Sequence, residues 1–179
     1  MTVEALCKEG SDTTVRMLAE DVQKIVETEA PVSLDLVVKR LCEACDIAKV
    51  TPKIMARALY IVRYAKVCCP DLTAEDGRKK FIYRSPSDIG DVKDTYRTGG
   101  DRDIADIAVE ELAAAAISIT LEQYGMPQED LIKEVASAFG CKRVAVTSNA
   151  FKAASAGVEF ALANNYLMKD DRGWVVRVP

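Results

Sequence analysis

Ten lysine and arginine residues lie in or next to predicted helices and hairpin loops, in both halves of the chain. They are Lys49, Lys53, Arg57, Arg78, Lys79 and Lys80 in the first half, and Lys142, Arg143, Lys152 and Arg172 in the second. Side chains of this kind contact phosphate oxygens and hold a protein on a nucleic-acid backbone. These residues therefore predict DNA binding, and the alternative is that each is an ordinary solvated surface charge.

The overall charge of the chain is negative, whereas the regions that hold these residues are positive. The formal net charge of the 179 residues is −4, which argues against a protein that coats DNA generally. Residues 31–84 carry a net charge of +5 and residues 142–179 carry +3, while residues 1–30 carry −4. Positive charge is thus concentrated in the later part of each half.

The chain lacks the residue patterns on which most catalysis depends. It has no histidine, so neither a Ser-His-Asp nor a Cys-His site can be built from its own residues. It has no P-loop and no Gly-x-Gly-x-x-Gly motif. Asp101, Asp103 and Asp106 fall at a predicted helix start, where carboxylates favour the helix dipole, and Asp170 and Asp171 fall in a predicted tight turn. The sequence predicts a protein that is not an enzyme and that uses no cofactor or metal ion.

An internal repeat organises the elements that position these residues. Residues 35–50 and residues 129–144 have the same pattern when one stretch is moved by 94 positions, so that Lys39 corresponds to Lys133 and Lys49 to Arg143. Each copy has the apolar spacing of a short amphipathic helix, then a break, then a basic and apolar strip that leads into another helix. The pattern predicts one structural unit used twice.

Two of the six cysteines have the CxxC spacing that is typical of redox and zinc sites. Cys42 and Cys45 lie on the apolar side of a predicted helix, and the repeat has Ala136 and Phe139 at the same positions. Because a free cysteine packs as a small hydrophobe, we expect both to be core residues. The alternative is a four-cysteine metal site that includes Cys68-Cys69.

Periodicity and turn signals predict a loose N-terminus over residues 1–10 and a first unit over residues 11–84. Apolar residues recur at helical spacing in three segments of this unit, and two short apolar runs flank a polar loop. The predicted helices are 11–30, 34–45 and 52–66, and the predicted strands are Val67–Cys69 and Phe81–Tyr83.

Residues 85–101 are rich in glycine, proline and serine and are predicted to be a linker, followed by a second unit over residues 102–179. Its long first helix, Asp103–Tyr124, is apolar almost all round in its middle and is expected to pack between the two units. The small residues Ala153–Gly157 are expected on the exposed face of its third helix. The remaining predicted elements are helices 128–139 and 149–164 and strands 166–168 and 174–178.

Three helices followed by a β-hairpin with a basic loop are typical of the winged helix-turn-helix. The predicted fold is therefore mainly α with small β-hairpins (α+β), with two winged helix-turn-helix-like units in tandem. In such proteins the third helix enters the major groove and the wing touches phosphate, which gives the ten basic residues their expected roles.

The repeated pattern also resembles a known family, the uncharacterised domain at the C-terminal end of large prokaryotic superfamily I DNA helicase-like proteins. The resemblance covers about residues 15–178 and is carried by apolar patterns and glycine positions. The matching segments are 25–32, the helix of the first repeat, Lys80–Arg84, Ile107–Ala116, Tyr124-Gly125, Glu129–Ile132, Phe139–Arg143 and Asn165–Leu167. It implies an accessory module of a DNA-handling ATPase, whose partners are DNA and the helicase core or nuclease domain. The loop 70–80 departs from the family by its length.

Two functions of different class remain open at this point. The first is non-catalytic nucleic-acid binding, and the second is docking of a protein partner on the same fold without DNA contact. The N-terminal ten residues lack the basic start and apolar core of a signal peptide, and no apolar run approaches the length of a membrane span. We therefore expect a cytoplasmic protein without a membrane contact.

Overall fold

The computed structural model describes residues 12–70, 72, 79–98 and 102–178. The chain divides into two compact units, Met1–Ile89 and Gly90–Pro179. Within the described residues there are six α-helices and two antiparallel sheets of two strands each. The expected mainly helical α+β fold is confirmed. None of the described helices is long and apolar enough to cross a membrane.

The described part of the first unit contains three α-helices and a small sheet. Its described elements, in chain order, are α1 (Asp12–Glu29), β1 (Val32–Ser33), α2 (Leu34–Ala44), α3 (Pro52–Tyr64), β2 (Phe81–Ile82) and a 3-10 helix (Pro86–Asp88).

Side-chain caps fix where α2 and α3 begin. The Ser33 hydroxyl accepts a hydrogen bond from the backbone N–H of Leu36 at 3.1 Å, and the Thr51 hydroxyl accepts one from Ile54 at 3.3 Å. Each cap satisfies a backbone donor that has no partner inside the helix. Pro52 is the first residue of α3, where a missing N–H costs nothing.

The three helices bury one stripe each in a shared core. The residues that helical spacing predicts to face inward are buried, apart from Ile25 of α1, which is partly buried against the same core. The buried ones are Val15, Leu18, Val22 and Val26 of α1, Leu34, Val37, Val38 and Leu41 of α2, and Ile54, Ala58, Ile61 and Val62 of α3. The cysteines of the CxxC pair belong to the same core, with Cys42 3% and Cys45 0% exposed. Their predicted role in core packing is confirmed.

This burial predicts a difference in thiol reactivity. Burial raises the pKa of the Cys45 thiol, so little of the reactive thiolate is present. Burial also raises the pKa of Cys141, so the contrast is with the other half-buried pair. In the native protein at pH 8, we expect an aromatic disulfide reagent to modify Cys68 and Cys69 well before Cys42 and Cys45. Peptide mapping by mass spectrometry checks the order. Labelling of Cys42 and Cys45 at the same rate as Cys68 and Cys69 would contradict it, and unfolded protein gives the reference rates.

The sheet of the first unit is smaller than the sequence predicts. β1 and β2 are antiparallel, with Val32 opposite Ile82 and Ser33 opposite Phe81. The expected strand Val67–Cys69 is present only as a single bridge between Cys68 and Tyr83. Pro70 follows at once, and proline has no N–H to continue a ladder of hydrogen bonds.

The second unit has the same kinds of element. In chain order they are a 3-10 helix (Ile104–Asp106), α4 (Val109–Gln123), α5 (Gln128–Ala138), α6 (Asn149–Ala163), β3 (Leu167–Lys169) and β4 (Val175–Arg177). β3 and β4 form an antiparallel hairpin, and Met126 bridges to Val175 on the other side of β4.

The prediction of one long helix over Asp103–Tyr124 is wrong for its first six residues. The Asp103 carboxylate accepts a hydrogen bond from the N–H of Ala105 at 2.8 Å and caps a short 3-10 turn, after which Ile107 is extended. Ala108 has the extended geometry of an N-cap, so α4 begins at the next residue. At its other end both Tyr124 and Gly125 have positive φ, 58° and 99°, and the helix ends there.

Part of the predicted linker packs on the second unit. Val92 and Tyr96 contact its core, and the Tyr96 ring lies 5.6 Å from the Phe139 ring. The Gly90 N–H donates a hydrogen bond to the buried Glu110 carboxylate at 2.9 Å. Residues 90–98 therefore belong structurally to the second unit.

The core of the second unit is built around the close approach of α4 and α6. Ala113 and Ala116 of α4 are buried with Ala154 and Ala161 of α6. Ala154 and Gly157 were expected on the exposed face of α6, and both are buried instead. A Cβ on Gly157 would lie 2.9 Å from the carbonyl carbon of Leu112, so only glycine allows this contact.

Candidate nucleic-acid interface

The exposed side of α3 combines basic and aromatic side chains. Lys53, Tyr60 and Tyr64 are exposed, and Arg57 between them is half-buried. Successive members are four, three and four residues apart, which places all four on one stripe of the helix. Arg63 is exposed beside this stripe. The two tyrosines were missing from the residues predicted above, although their helical spacing from Lys53 and Arg57 was a usable signal.

No acidic residue accompanies these cations. The sequence has none between Asp46 and Asp71, and this interval contains Lys49, Lys53, Arg57, Arg63 and Lys66. Among the described residues, no carboxylate lies within ion-pair distance of any of these five cations. Their charges remain available to an external anion.

The cations of the neighbouring helix α2, unlike those of α3, form ion pairs within the protein. On α2, Lys39 pairs with Glu43 at 3.8 Å, and Arg40 pairs with Glu29 at 3.3 Å and with Glu43 at 3.4 Å. The cations of α2 are therefore partly neutralised by the protein itself.

Arg57 has an unusual environment within the stripe. Its guanidinium lies over the Tyr60 ring, 5.2 Å from the ring centroid, which is a cation–π geometry. Its Nε and Nη2 atoms are buried and have no hydrogen-bond partner in the described structure. A buried donor without a partner is destabilising by about 1–3 kcal/mol. An anion that reached this guanidinium after a small side-chain movement would offset that cost.

The predicted basic loop of the first unit is engaged in intramolecular contacts where it is described. Lys79 pairs with Asp35, the second residue of α2, at 3.8 Å. The Lys80 Nζ donates a hydrogen bond to the Leu72 carbonyl at 3.2 Å. Arg78 lies outside the described residues. Because the pair between Lys79 and Asp35 is long and exposed, it contributes little to stability.

In the second unit, Lys142 and Arg143 are exposed in the segment between α5 and α6, and Lys152 is exposed in the first half of α6. Among the described residues none of the three has an ion pair. The exposed surface of α6 also carries Glu159, which accepts a hydrogen bond from Ser155 at 2.8 Å. The second unit thus presents fewer cations on its third helix, and an anion beside them.

Arg172 is largely neutralised in the turn between β3 and β4. Its Nε and Nη2 atoms donate hydrogen bonds to the Asp170 carboxylate at 2.9 and 2.8 Å, and its guanidinium lies 4.4 Å from the centroid of the Trp174 ring. Partial burial raises the pKa of Asp170, but the hydrogen bonds from Arg172 and from the backbone N–H groups of Trp174 and Arg172 outweigh it, so the pKa is lowered. Arg172 is the least available of the described candidates.

Two of the aspartates that were weighed as catalytic candidates have structural roles. Asp103 caps the 3-10 helix, and Asp170 accepts hydrogen bonds from Arg172 and Trp174 in a turn. Asp101 lies outside the described residues. A search of the described residues finds no group of three or more Cys, Asp or Glu side chains placed to hold a metal ion.

Comparison with known proteins gives one match. Residues 11–56 match a family described as "Protein of unknown function (DUF3320)". The match covers α1, β1, α2 and the start of α3. No curated protein and no solved structure matches the chain significantly. The similarity is thus to an uncharacterised domain family, over about a quarter of the chain.

Proposed function

We propose that this chain is a non-catalytic nucleic-acid-binding module that acts beside a DNA helicase-like protein. The observation that carries the proposal is the stretch from Lys49 to Lys66, which presents five cations without an acidic residue or an intramolecular ion pair among the described residues. Phosphate groups are the polyanionic partner for such a surface, because each cation that contacts a phosphate releases a bound counterion from the nucleic acid.

The order of elements supports a winged helix-turn-helix interpretation of each unit. In the first unit the last strand, β2, pairs with β1, and Tyr83 just after it bridges to Cys68. In the second unit the last strand, β4, pairs with β3 and bridges to Met126. The final strand is therefore central in both units, and α3 and α6 occupy the position of the recognition helix.

Matching hydrogen bonds support the interpretation as a repeat. After α2, the N–H of Ile47 donates to the carbonyl of Cys42 at 2.8 Å. After α5, the N–H of Cys141 donates to Ala136 at 3.1 Å, again 94 positions later. The residue before each donor, Asp46 and Gly140, has a positive φ of 57° and 87°. Equivalent turns at equivalent positions favour two copies of one unit.

The association with a helicase rests on the family resemblance of the sequence. In this proposal the motor that hydrolyses nucleotide lies on another part of the parent protein or on a partner, since this chain has no P-loop. The helicase core or a nuclease domain is the protein partner that the resemblance implies.

A second candidate function is docking of a protein partner on exposed apolar side chains of the second unit. Leu121, Tyr124, Val146 and Met168 are exposed there. Docking would require such side chains to form one continuous surface. The following test distinguishes this docking function from nucleic-acid binding.

The test is fluorescence anisotropy with labelled DNA at low and moderate salt. A triple variant, Lys49→Ala with Lys53→Ala and Arg63→Ala, removes three exposed cations of the proposed interface. We expect binding to weaken about tenfold or more at moderate salt, and the slope of log K against log salt to become shallower by about two to three. The reason is that three phosphate contacts are lost.

The matched control removes three cations elsewhere: Lys24→Ala with Lys39→Ala and Lys133→Ala. Each of these lysines pairs with a nearby carboxylate in the structure. The net charge changes by the same amount in both variants, so the control should bind nearly as the unaltered protein does. Equal losses in the two variants would show a general charge effect. Absence of binding at low salt would refute nucleic-acid binding and favour the docking function.

A further inference from the structure

We propose that the α3 face binds single-stranded nucleic acid by stacking exposed bases on Tyr60 and Tyr64, with the surrounding cations on the phosphates. This inference rests on the proposed function and names its substrate class. Neither ring is needed for the core, since Tyr60 is 49% and Tyr64 is 45% exposed. Large exposed aromatic rings between cations are the features with which proteins bind single strands.

The spacing of the two rings suits successive bases. They are four residues apart on one helix and lie on the same face, separated by about 6 Å along the axis. Lys53 lies about two turns from Tyr60 toward the N-terminus of α3, and Arg63 precedes Tyr64 directly in the sequence. A strand that follows the helix would therefore meet cations at both ends of the aromatic pair.

The composition of this face limits what it could read in a duplex. α3 contains no asparagine, glutamine or acidic residue to read adenine or cytosine edges in the major groove, so its lysine and arginines could read only guanine there. Two tyrosines occupy the middle of the exposed stripe. In a duplex the faces of the bases are covered by their neighbours, so these rings would have no base face to contact. Unpaired bases present both faces.

The cation over Tyr60 adds to the same surface. Arg57 lies over one side of this ring, with its guanidinium 5.2 Å from the ring centroid, and places a positive charge beside the stacking surface. Its Nε and Nη2 atoms are buried and have no hydrogen-bond partner in the described structure, so a phosphate reaches them only when the side chain moves outward.

The corresponding helix of the second unit lacks these features. At the end of α3 the N–H of Ala65 donates to the carbonyl of Ile61, and at the end of α6 the N–H of Asn164 donates to the carbonyl of Phe160. The two helix ends therefore correspond with an offset of 99 positions. By this relation Tyr60 corresponds to Glu159 and Tyr64 to Ala163. The site that we propose is therefore confined to the first unit.

The experiment compares a labelled 20-nucleotide single strand of mixed sequence with the duplex of the same sequence. The variant is Tyr60→Leu with Tyr64→Leu, which keeps apolar bulk and removes both rings. The matched control is Tyr60→Phe with Tyr64→Phe, which keeps both rings. We expect the unaltered protein to bind the single strand more tightly than the duplex. The leucine variant should lose about tenfold to a hundredfold of single-strand affinity, and the phenylalanine variant should stay within about twofold.

The outcomes separate this inference from the proposed function. Duplex binding as tight as single-strand binding, unchanged by the leucine variant, would overturn the stacking site and leave nucleic-acid binding intact. Equal losses in the leucine and phenylalanine variants would also overturn it, because the rings are present in only one of them. Failure of the unaltered protein to bind either probe at low salt would overturn both. Circular dichroism and thermal melting confirm that each variant is folded.

Discussion

Replacing Glu111 with alanine is expected to destabilise the second unit by about 3–5 kcal/mol, because the change leaves two arginines without their shared buried partner. Glu111 is near the start of α4 and is 7% exposed. The loss should be far larger than that from an exposed ion pair, which is worth about 0–1 kcal/mol.

The geometry of this cluster explains the size of the effect. Arg97 Nη2 lies 2.8 Å and Arg102 Nη1 2.9 Å from Glu111 Oε2. Oε1 accepts hydrogen bonds from Arg97 Nε at 3.1 Å, from the Arg97 backbone N–H at 2.9 Å and from Arg102 Nη2 at 3.0 Å. Arg102 also donates to the carbonyl of Arg97 at 2.8 Å. One carboxylate therefore holds both Arg97 and Arg102 against the start of α4.

The same cluster should make stability depend on pH. Burial raises the pKa of Glu111, but hydrogen bonds from Arg102 and Arg97 outweigh it, so the pKa lies below its ordinary value of 4.5. A carboxyl with a depressed folded-state pKa contributes stability above its unfolded-state pKa, and that contribution is lost as pH falls through the folded-state value. The stability difference between the unaltered protein and Glu111→Gln should therefore be constant near neutrality and shrink below about pH 4.5.

Urea unfolding at several pH values measures both effects. Glu122→Ala is the matched control, since Glu122 is exposed on the same helix and accepts only a long hydrogen bond from Ser118 at 3.4 Å. That variant should lose less than about 1 kcal/mol at every pH. If Glu111→Ala is no less stable than the control, the cluster contributes nothing to folding. A stability difference that persists unchanged at pH 3 would contradict the depressed pKa.

The cluster also illustrates which features the sequence could predict. The apolar stripes of α1, α2 and α3 are local patterns, and all of their predicted inward residues except the partly buried Ile25 are buried. Glu111 gave no such signal, because its role depends on two distant arginines. Arg97 lies 14 positions away in the predicted linker, and Arg102 lies 9 positions away at the start of the predicted second unit. The break at Ile107 and Ala108 was missed for a similar reason, since buried apolar residues continue the helical pattern through it.

The candidate interface was predicted in part. The exposure of Lys53 follows from helix periodicity, and that of Lys49 from its place in the predicted turn between two helices; both are exposed. That Arg172 is bound to Asp170, or that Lys79 pairs with Asp35, depends on turn and sheet geometry that periodicity does not contain. Tyr60 was overlooked because an aromatic residue within an apolar helix is usually read as core.

Replacing Gly157 with alanine should destabilise the second unit, although the same change in an isolated helix would stabilise it by about 1 kcal/mol. The new Cβ would lie 2.9 Å from the carbonyl carbon of Leu112 and 3.1 Å from the N of Ala113. These are backbone atoms of α4, so the contact is relieved only if the two helices move apart. Overpacking of this kind costs about 1–3 kcal/mol and occasionally more.

Gly157→Val should cost more than Gly157→Ala, above about 3 kcal/mol, because the added methyl groups meet the same backbone. Ala156→Val is the matched control, since Ala156 is the exposed neighbour on α6 and loses only helix propensity, a few tenths of a kcal/mol to about 0.7. Urea unfolding followed by circular dichroism measures all three variants. A Gly157→Ala protein as stable as the unaltered one would show that α4 and α6 can separate at little cost. The expected order of stability loss, with Gly157→Val largest and Ala156→Val smallest, follows from the contact between α4 and α6. At this contact no side chain larger than that of glycine fits.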